Sequence, residues 1–81
     1  MRVDIRLSAA LAKLTSAPKL SVELPDAATV EDLYTHLAAI EPELAPALRS
    51  ALPIVAGEHV RRTQPLGHGV EIALLLPISG G

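Results

Sequence analysis

Two segments near the start of the chain alternate hydrophobic and polar residues with a period of two, as half-buried β-strands do. The hydrophobic positions are Val3, Ile5 and Leu7 in the first segment and Leu20, Val22 and Leu24 in the second. The intervening residues 8–18 predict a short helical turn or a hairpin loop that closes at Pro18. We therefore predict that the two strands pair in an antiparallel arrangement.

A third segment repeats its hydrophobic residues at the spacing of one helix face. These residues are Val30, Leu33, Leu37 and Ile40. Thr29 is a favourable N-cap, and Asp32 lies three residues later, in the position of a capping box. The helix is expected to end before Pro42, because proline disfavours helical backbone in the residue that precedes it.

The second half of the chain predicts further strands. Residues 52–60 indicate a short strand, a turn near Gly57 and a second short strand, and residues 65–69 indicate another turn. Residues 70–76 predict the last strand, with alternate hydrophobic residues on one face.

These elements favour an α+β domain with one main helix packed across a mixed sheet of four to five strands. A right-handed crossover would allow the first and last strands to pair in parallel at the centre of the sheet. This arrangement is the β-grasp, or ubiquitin-like, fold. We expect residues 1–76 to form the domain and residues 77–81 to form an extended tail that leaves the end of a central strand.

Composition sharpens this picture. A chain of 81 residues fits one domain, and with 49% hydrophobic residues, one Tyr and no Phe or Trp its core should be aliphatic. The absence of Cys excludes disulfides, thiolate zinc sites and cysteine nucleophiles. Neither a signal peptide nor a membrane-spanning segment is indicated, so we expect a cytoplasmic protein with no membrane partner.

Charge argues against a nucleic-acid partner. The formal net charge is −2, whereas binding to a phosphate backbone requires clustered Lys and Arg. The adjacent pair Arg61 and Arg62 is interpreted as a solvated turn or strand end.

The side chains offer no obvious catalytic constellation. His36, His59 and His68 lack the spacing of a metal site, so we predict no metal. The serines form no nucleophile elbow, and the glycines form no phosphate-binding loop, so no bound cofactor is expected. The remaining reactive group is the α-carboxylate of Gly81. Gly80 and Gly81 lack a Cβ atom and could pass through a narrow channel.

The chain resembles the small, sulfur-carrying subunit of molybdopterin synthase and its relative, the sulfur carrier of the thiamine pathway. The resemblance covers nearly the whole chain and is carried by TVEDLYTHLAA, by PLGHGVEIALL and by the terminal LPISGG. It implies that a ubiquitin-activating-type enzyme uses ATP to adenylate Gly81, and that a sulfur donor then converts the adenylate to a thiocarboxylate. It also implies that the large synthase subunit receives this tail, of which Pro77, Ile78, Ser79 and Gly80 form the extended part. The chain would then be no enzyme on its own, but the sulfur-donating subunit of a sulfurtransferase complex.

The resemblance also implies a docking patch on the outer face of the sheet. Leu75 matches one member of that patch, Leu7 lies near another within an uncertainty of one residue, and His59 replaces an apolar member. The alternative for Leu75 is that it packs under a loop. The family often has Asn where this chain has Ala56.

Other functions remain open at this point. The sulfur could go to thiamine thiazole, to cysteine or to a specialised metabolite. The chain could also be a ubiquitin-like modifier that is attached through Gly81, or an interaction domain whose terminal glycines are a frayed end.

Overall fold

The computed structural model describes residues 1–15 and 19–77. The described strands are β1 (Arg2–Leu7), β2 (Lys19–Glu23), β3 (Leu52–Val55), β4 (Glu58–His59) and β5 (Glu71–Leu75). The described helices are α1 (Ala9–Ala12), α2 (Val30–Ile40) and α3 (Ala45–Leu48), with a 3₁₀ turn at Pro42–Leu44 before α3. Each predicted strand is present, and the last is one residue shorter at each end than predicted.

The five described strands form one mixed sheet in the order β2-β1-β5-β3-β4. Strand β1 pairs antiparallel with β2 and parallel with β5, and β3 pairs antiparallel with β5 and with β4. The parallel pair of the first and last strands therefore lies at the centre of the sheet, as predicted. The parallel register pairs Leu7 with Leu74, so the C-terminal ends of β1 and β5 lie at the same end of the sheet.

Helix α2 begins with the predicted capping box. The backbone N–H of Asp32 donates to Thr29 Oγ1 at 3.2 Å, and the backbone N–H of Thr29 donates to Asp32 Oδ2 at 2.9 Å. These two bonds satisfy backbone donors that the first helical turn would otherwise leave without partners. The helix ends at Ile40, before Pro42, also as predicted.

The predicted buried face of α2 is correct except at its last position. Val30, Leu33 and Leu37 have 0% exposure, but Ile40 is 48% exposed. Ile40 is the final residue of the helix, and the 3₁₀ turn that follows places Leu44 in the core with 0% exposure. Leu44 thus supplies the buried side chain that the helical spacing assigned to Ile40.

The core between α2 and the sheet is aliphatic, as predicted. Its largest fully buried side chains are Ile5, Leu11, Leu33, Leu37, Leu44, Ile72, Leu74, Val3 and Val30. They come from the sheet, from α1 and α2 and from the 3₁₀ turn, so a single hydrophobic core connects all the layers.

The turn between β3 and β4 contains the two left-handed residues Ala56, with φ of 53°, and Gly57, with φ of 80°. Glycine adopts this conformation freely, whereas alanine pays about 1 to 2 kcal/mol for it. The presence of Ala56, where the resembled family often has Asn, is therefore a local strain within an otherwise favourable hairpin.

Tyr34 is the one aromatic residue of the core. Its hydroxyl donates to the backbone oxygen of Ala51 at 2.9 Å, and the Arg62 guanidinium lies 4.3 Å from its ring centroid. Burial raises the pKa of Tyr34 from its ordinary 10.0 to about 12. The helix is in this way tied to the loop that precedes β3.

We expect the absorbance of tyrosinate to appear near pH 12 in the folded protein and near pH 10 after unfolding. The folded pKa lies above the unfolded one, so the associated stability is complete below about pH 10 and is lost as pH rises towards 12. An ultraviolet titration checks this cleanly, because the chain has one Tyr and no Trp. Tyr34→Phe provides the control: it should lose the titration and about 1 kcal/mol of stability. A wild-type titration centred near pH 10 would contradict the prediction.

Candidate docking face and tail exit

The outer face of the sheet, opposite α2, carries an apolar patch on its β5-β3 half. Cross-strand pairing places Leu52 beside Leu75 and Ile54 beside Ala73. We call these four residues the apolar patch. Leu75 is 42% exposed and Leu52 is 36% exposed, which makes them two of the few large hydrophobic side chains on the described surface. Exposed apolar residues that lie together are typical of interaction surfaces.

The β2-β1 half of the same face is polar. Asp4 accepts hydrogen bonds from Ser21 Oγ at 2.6 Å and from Arg2 Nε at 3.1 Å. These two bonds, with that from Ser21 the larger cause, lower the pKa of the Asp4 carboxyl. Arg6 pairs with Glu71 at 3.3 Å. The charged side chains of this half therefore pair with one another, Arg2 with Asp4 and Arg6 with Glu71. Strand β5 separates this polar half from the apolar patch, because it carries Glu71 at its start and Leu75 at its end.

The chain leaves the sheet directly beside the apolar patch. Strand β5 ends at Leu75, Leu76 is half-buried, and Pro77 is exposed. The backbone N–H of Ser8 donates to the Leu74 oxygen at 3.0 Å, which extends the contact between the central strands up to this exit. Pro77, the last described residue, therefore follows directly after the patch residue Leu75 and the half-buried Leu76.

Four predicted tail residues, Ile78, Ser79, Gly80 and Gly81, lie outside the described residues. Their roles, and the division of the chain into a domain of residues 1–76 and a tail of residues 77–81, stay predictions. The structure places only the base of the predicted tail, Pro77, at the surface.

The structure gives a different outcome for each of the three predicted docking residues. Leu75 faces solvent beside Leu52, which favours the docking interpretation over packing under a loop. His59 is exposed on β4 and pairs with Ile54, at the margin of the patch. Leu7 requires a correction: it is 5% exposed and belongs to the hydrophobic core. Because side chains alternate along a strand, its neighbour Arg6 takes the outer face instead.

Sequence reasoning missed Leu52 and Ile54. The segment Leu52–Val55 contains no polar side chain, so its two faces cannot be distinguished by polarity. The pairing with β5 distinguishes them, since Pro53 pairs with the buried Leu74 and Val55 pairs with the buried Ile72. The register of the neighbouring strand was the signal required.

The described residues offer neither a metal site nor a membrane-spanning helix. Among residues 1–15 and 19–77, there is no group of three or more His, Asp or Glu side chains that could hold a metal ion. In the same part of the chain, every helix is too short or too polar to cross a membrane.

Solved structures resemble this fold over its full length. SAMP1 from Haloferax volcanii is 25% identical with a TM-score of 0.85, and the match covers 100% of both chains. The ubiquitin of Caldiarchaeum subterraneum is 19% identical with a TM-score of 0.69, covering 100% of this chain and 98% of that one. In the complex of subunits 1 and 2 of the molybdopterin-converting factor from Helicobacter pylori, the matched chain is 20% identical with a TM-score of 0.73 and full coverage of both. The fold is thus a ubiquitin-like β-grasp, as predicted.

The family is shown by sequence. The profile of the ThiS family matches residues 5–81, and the chain belongs to that family. The predicted relationship to the small ubiquitin-like sulfur carriers is therefore confirmed. A sequence comparison with curated proteins finds no significant match.

Proposed function

We propose that the chain carries sulfur as a thiocarboxylate on Gly81 and donates it in molybdopterin biosynthesis, as the small subunit of molybdopterin synthase. The observation that carries this proposal is the exit of the chain beside an exposed apolar patch in a fold of the ThiS family. A partner that binds the patch would at the same time receive the residues after Pro77. The rigid sheet would then fix the starting point of the tail.

The chemistry proceeds in two steps on a partner enzyme. A carboxylate oxygen of Gly81 attacks the α-phosphate of ATP, and pyrophosphate leaves as the acyl adenylate forms. Hydrosulfide supplied by a sulfur donor then attacks the acyl carbon, so that a C–S bond forms, the C–O bond to AMP breaks and the thiol proton passes to solvent. Activation of this kind divides one difficult substitution into two easier ones.

The proposed partners are an adenylating enzyme of the ubiquitin-activating type, a sulfur donor and a large synthase subunit. The two-subunit complex of the Helicobacter pylori converting factor supports a large-subunit partner, because its matched chain has the same fold. In this scheme ATP is bound by the activating enzyme, and the chain itself contributes a docking surface and a reactive terminus.

Intact-mass spectrometry tests the proposal. The full chain is incubated with an activating enzyme, ATP and sulfide, and the expected product has one oxygen at the terminus replaced by sulfur. The thiocarboxylated chain is then mixed with the large subunit and the pterin precursor, and its mass is expected to return to that of the original carboxylate form. A chain that is never adenylated would contradict the proposal at its first step.

A second function is favoured by the similarity to SAMP1, the small archaeal modifier protein 1 of Haloferax volcanii. Its TM-score of 0.85 at 25% identity exceeds the 0.73 at 20% identity of the converting-factor chain. In this alternative, Gly81 is joined to lysine side chains of other proteins. Higher-mass conjugates that disappear on deletion of Gly81 would support it. Transfer of sulfur to a thiazole synthase, in place of the pterin precursor, would instead redirect the carrier to the thiamine pathway.

We expect Leu75→Glu to weaken docking to the partner by about tenfold or more, because it places a charge in the centre of the apolar patch. Folding should be unaffected, since Leu75 is 42% exposed. The measurement is the affinity of the variant for the large subunit, by calorimetry, together with its thermal midpoint. Ile40→Glu is the matched control, because Ile40 is 48% exposed on the opposite layer. Equal loss of affinity in both variants would remove the patch from the interface.

A further inference from the structure

A groove with an excess of positive charge lies next to the apolar patch. Its lining includes the cations Arg49, Arg61 and Arg62, the side chain of His59, and the apolar residues Leu52 and Pro53, and no Asp or Glu lines it. We call this the basic groove. Leu52 belongs to both the basic groove and the apolar patch. The charge of the groove contrasts with that of the whole chain, which has a formal net charge of −2.

The fold brings the arginines together at the end of the sheet where the central strand β5 finishes. Arg49 follows α3 and precedes β3, whose first residue, Leu52, pairs with the last residue of β5. Arg61 follows β4, and the hydrogen bond from Val60 N–H to the Pro53 oxygen, at 3.0 Å, keeps this segment alongside β3. Both arginines thus lie at the same end of the sheet as Pro77.

Arg62 has a structural task that differs from that of its neighbours. Its Nη2 donates to the backbone oxygens of Leu48 at 2.8 Å and Arg49 at 3.0 Å, which closes the end of α3. Its guanidinium also pairs with Glu31 at 3.6 Å and lies over Tyr34. Arg62 therefore holds the wall of the groove in place.

Arg49 and Arg61 are exposed, and within residues 1–15 and 19–77 neither guanidinium has an ion-pair partner. This differs from Arg2, Arg6 and Arg62, each of which pairs with a carboxylate of the chain itself. Arginine presents a planar set of donors that matches a carboxylate, and such charge-assisted pairs are stronger and more directional than neutral ones.

We propose that the basic groove binds an acidic segment of a partner protein, with a hydrophobic side chain against Leu52 and Pro53 and carboxylates on Arg49 and Arg61. Charge complementarity identifies this occupant: the groove offers exposed cations that have no ion-pair partner among the described residues, and they lie beside apolar residues. A segment with both carboxylates and a hydrophobic side chain matches both features. The inference rests on the proposed docking of the tail into a partner, since the groove adjoins the surface from which the tail leaves. It implies that the partner carries an acidic segment, and that its affinity for the groove falls as ionic strength rises.

The test uses the full chain, labelled with ¹⁵N, and a blocked pentapeptide with a central leucine flanked on each side by two glutamates. Saturable shifts are expected for the amides of Arg49, Leu52, His59 and Arg61, and they should weaken as salt is raised. The same peptide with glutamine in place of glutamate should bind about tenfold more weakly. Equal binding of the two peptides, or shifts confined to other surfaces, would overturn the proposal.

Two variants separate charge from folding. Arg49→Glu combined with Arg61→Glu should lower affinity for the acidic peptide by about tenfold or more, and the milder Gln pair should do so to a smaller extent. Lys13→Glu combined with Lys19→Glu is the matched control of equal charge change outside the groove. Equal loss in the control would reduce the effect to net charge alone and overturn the site.

A phosphate ligand is a distinct outcome. If inorganic phosphate or a single-stranded oligonucleotide shifts the same amides at lower concentration than the peptide, the assignment to an acidic protein segment is overturned. The mass assay for the thiocarboxylate is independent of these titrations. Peptide binding without thiocarboxylate formation would support the basic groove as a binding site and contradict the proposed sulfur carrier. Thiocarboxylate formation without peptide binding would contradict only the proposed binding at the groove.

Discussion

A chain extended by one alanine after Gly81 is expected to lose thiocarboxylate formation by at least about 100-fold, because the added residue displaces the reactive carboxylate from the attacking position. In the mass assay, the extended chain should keep its original mass when activating enzyme, ATP and sulfide are present. Its far-UV circular dichroism and thermal midpoint should equal those of the original chain. The last fully buried residue of the described sheet is Leu74, and Pro77 is already exposed.

Gly81→Ala tests the second requirement placed on the tail. This variant keeps the terminal carboxylate in position but adds a Cβ atom, which a narrow channel would exclude. We therefore expect activity between that of the original chain and that of the extended chain. Efficient thiocarboxylate formation by the extended chain would contradict the proposed function, whereas loss of the fold would contradict the separation of the tail from the core.

The sequence predicted the strands and helix of this domain because their patterns are local. Alternation at Val3, Ile5 and Leu7 and the Thr29–Asp32 capping box each depend on residues close together in the chain. The central parallel pairing also followed, since few connections between these elements are compatible with a right-handed crossover. The antiparallel pairing of β1 with β2 and the central parallel pairing of β1 with β5 then agreed with the prediction.

The errors arose where a position depends on its neighbours in space. Ile40 has helical spacing but ends its helix, and Leu44 fills the core from the following turn. Leu7 was placed within one residue of a docking position, and a shift of one residue along a strand moves a side chain to the opposite face. The fold therefore assigns Leu7 to the core and Arg6 to the surface.

The basic groove could not be read from the sequence at all. The sequence pattern of Arg61 and Arg62 indicates only a solvated turn or strand end, and Arg49 is distant from them in the chain. The β3-β4 hairpin and α3 bring the three arginines together in the lining of one groove. Their side chains then make different contacts, since Arg62 donates to the backbone at the end of α3. The hydrogen bonds, the ion pair with Glu31 and the contact with the Tyr34 ring distinguish Arg62, which supports the wall. Arg49 and Arg61 are exposed and have no ion-pair partner among residues 1–15 and 19–77.

Leu33→Ala is expected to destabilise the domain by about 2 to 5 kcal/mol, because it removes methyl groups from a site with 0% exposure and leaves a cavity. A domain of 81 residues has a total stability of about 4 to 12 kcal/mol, so this loss is a large fraction of the whole. The thermal midpoint should fall by at least about 8 °C. Denaturant unfolding and calorimetry measure both quantities.

Ile40→Ala is the matched control on the same helix. Ile40 is 48% exposed at the end of α2, so truncation removes little buried surface, and alanine has the higher helix propensity. We expect its stability to change by no more than about 0.5 kcal/mol. Comparable losses in the two variants would mean that the buried face of α2 is centred differently from the arrangement described, with Ile40 in the core. A large loss at Leu33 alone would instead support the described orientation of α2, in which Leu33 faces the sheet. In that orientation α2 covers one face of the sheet, and the opposite face, which carries the apolar patch, is left exposed to solvent.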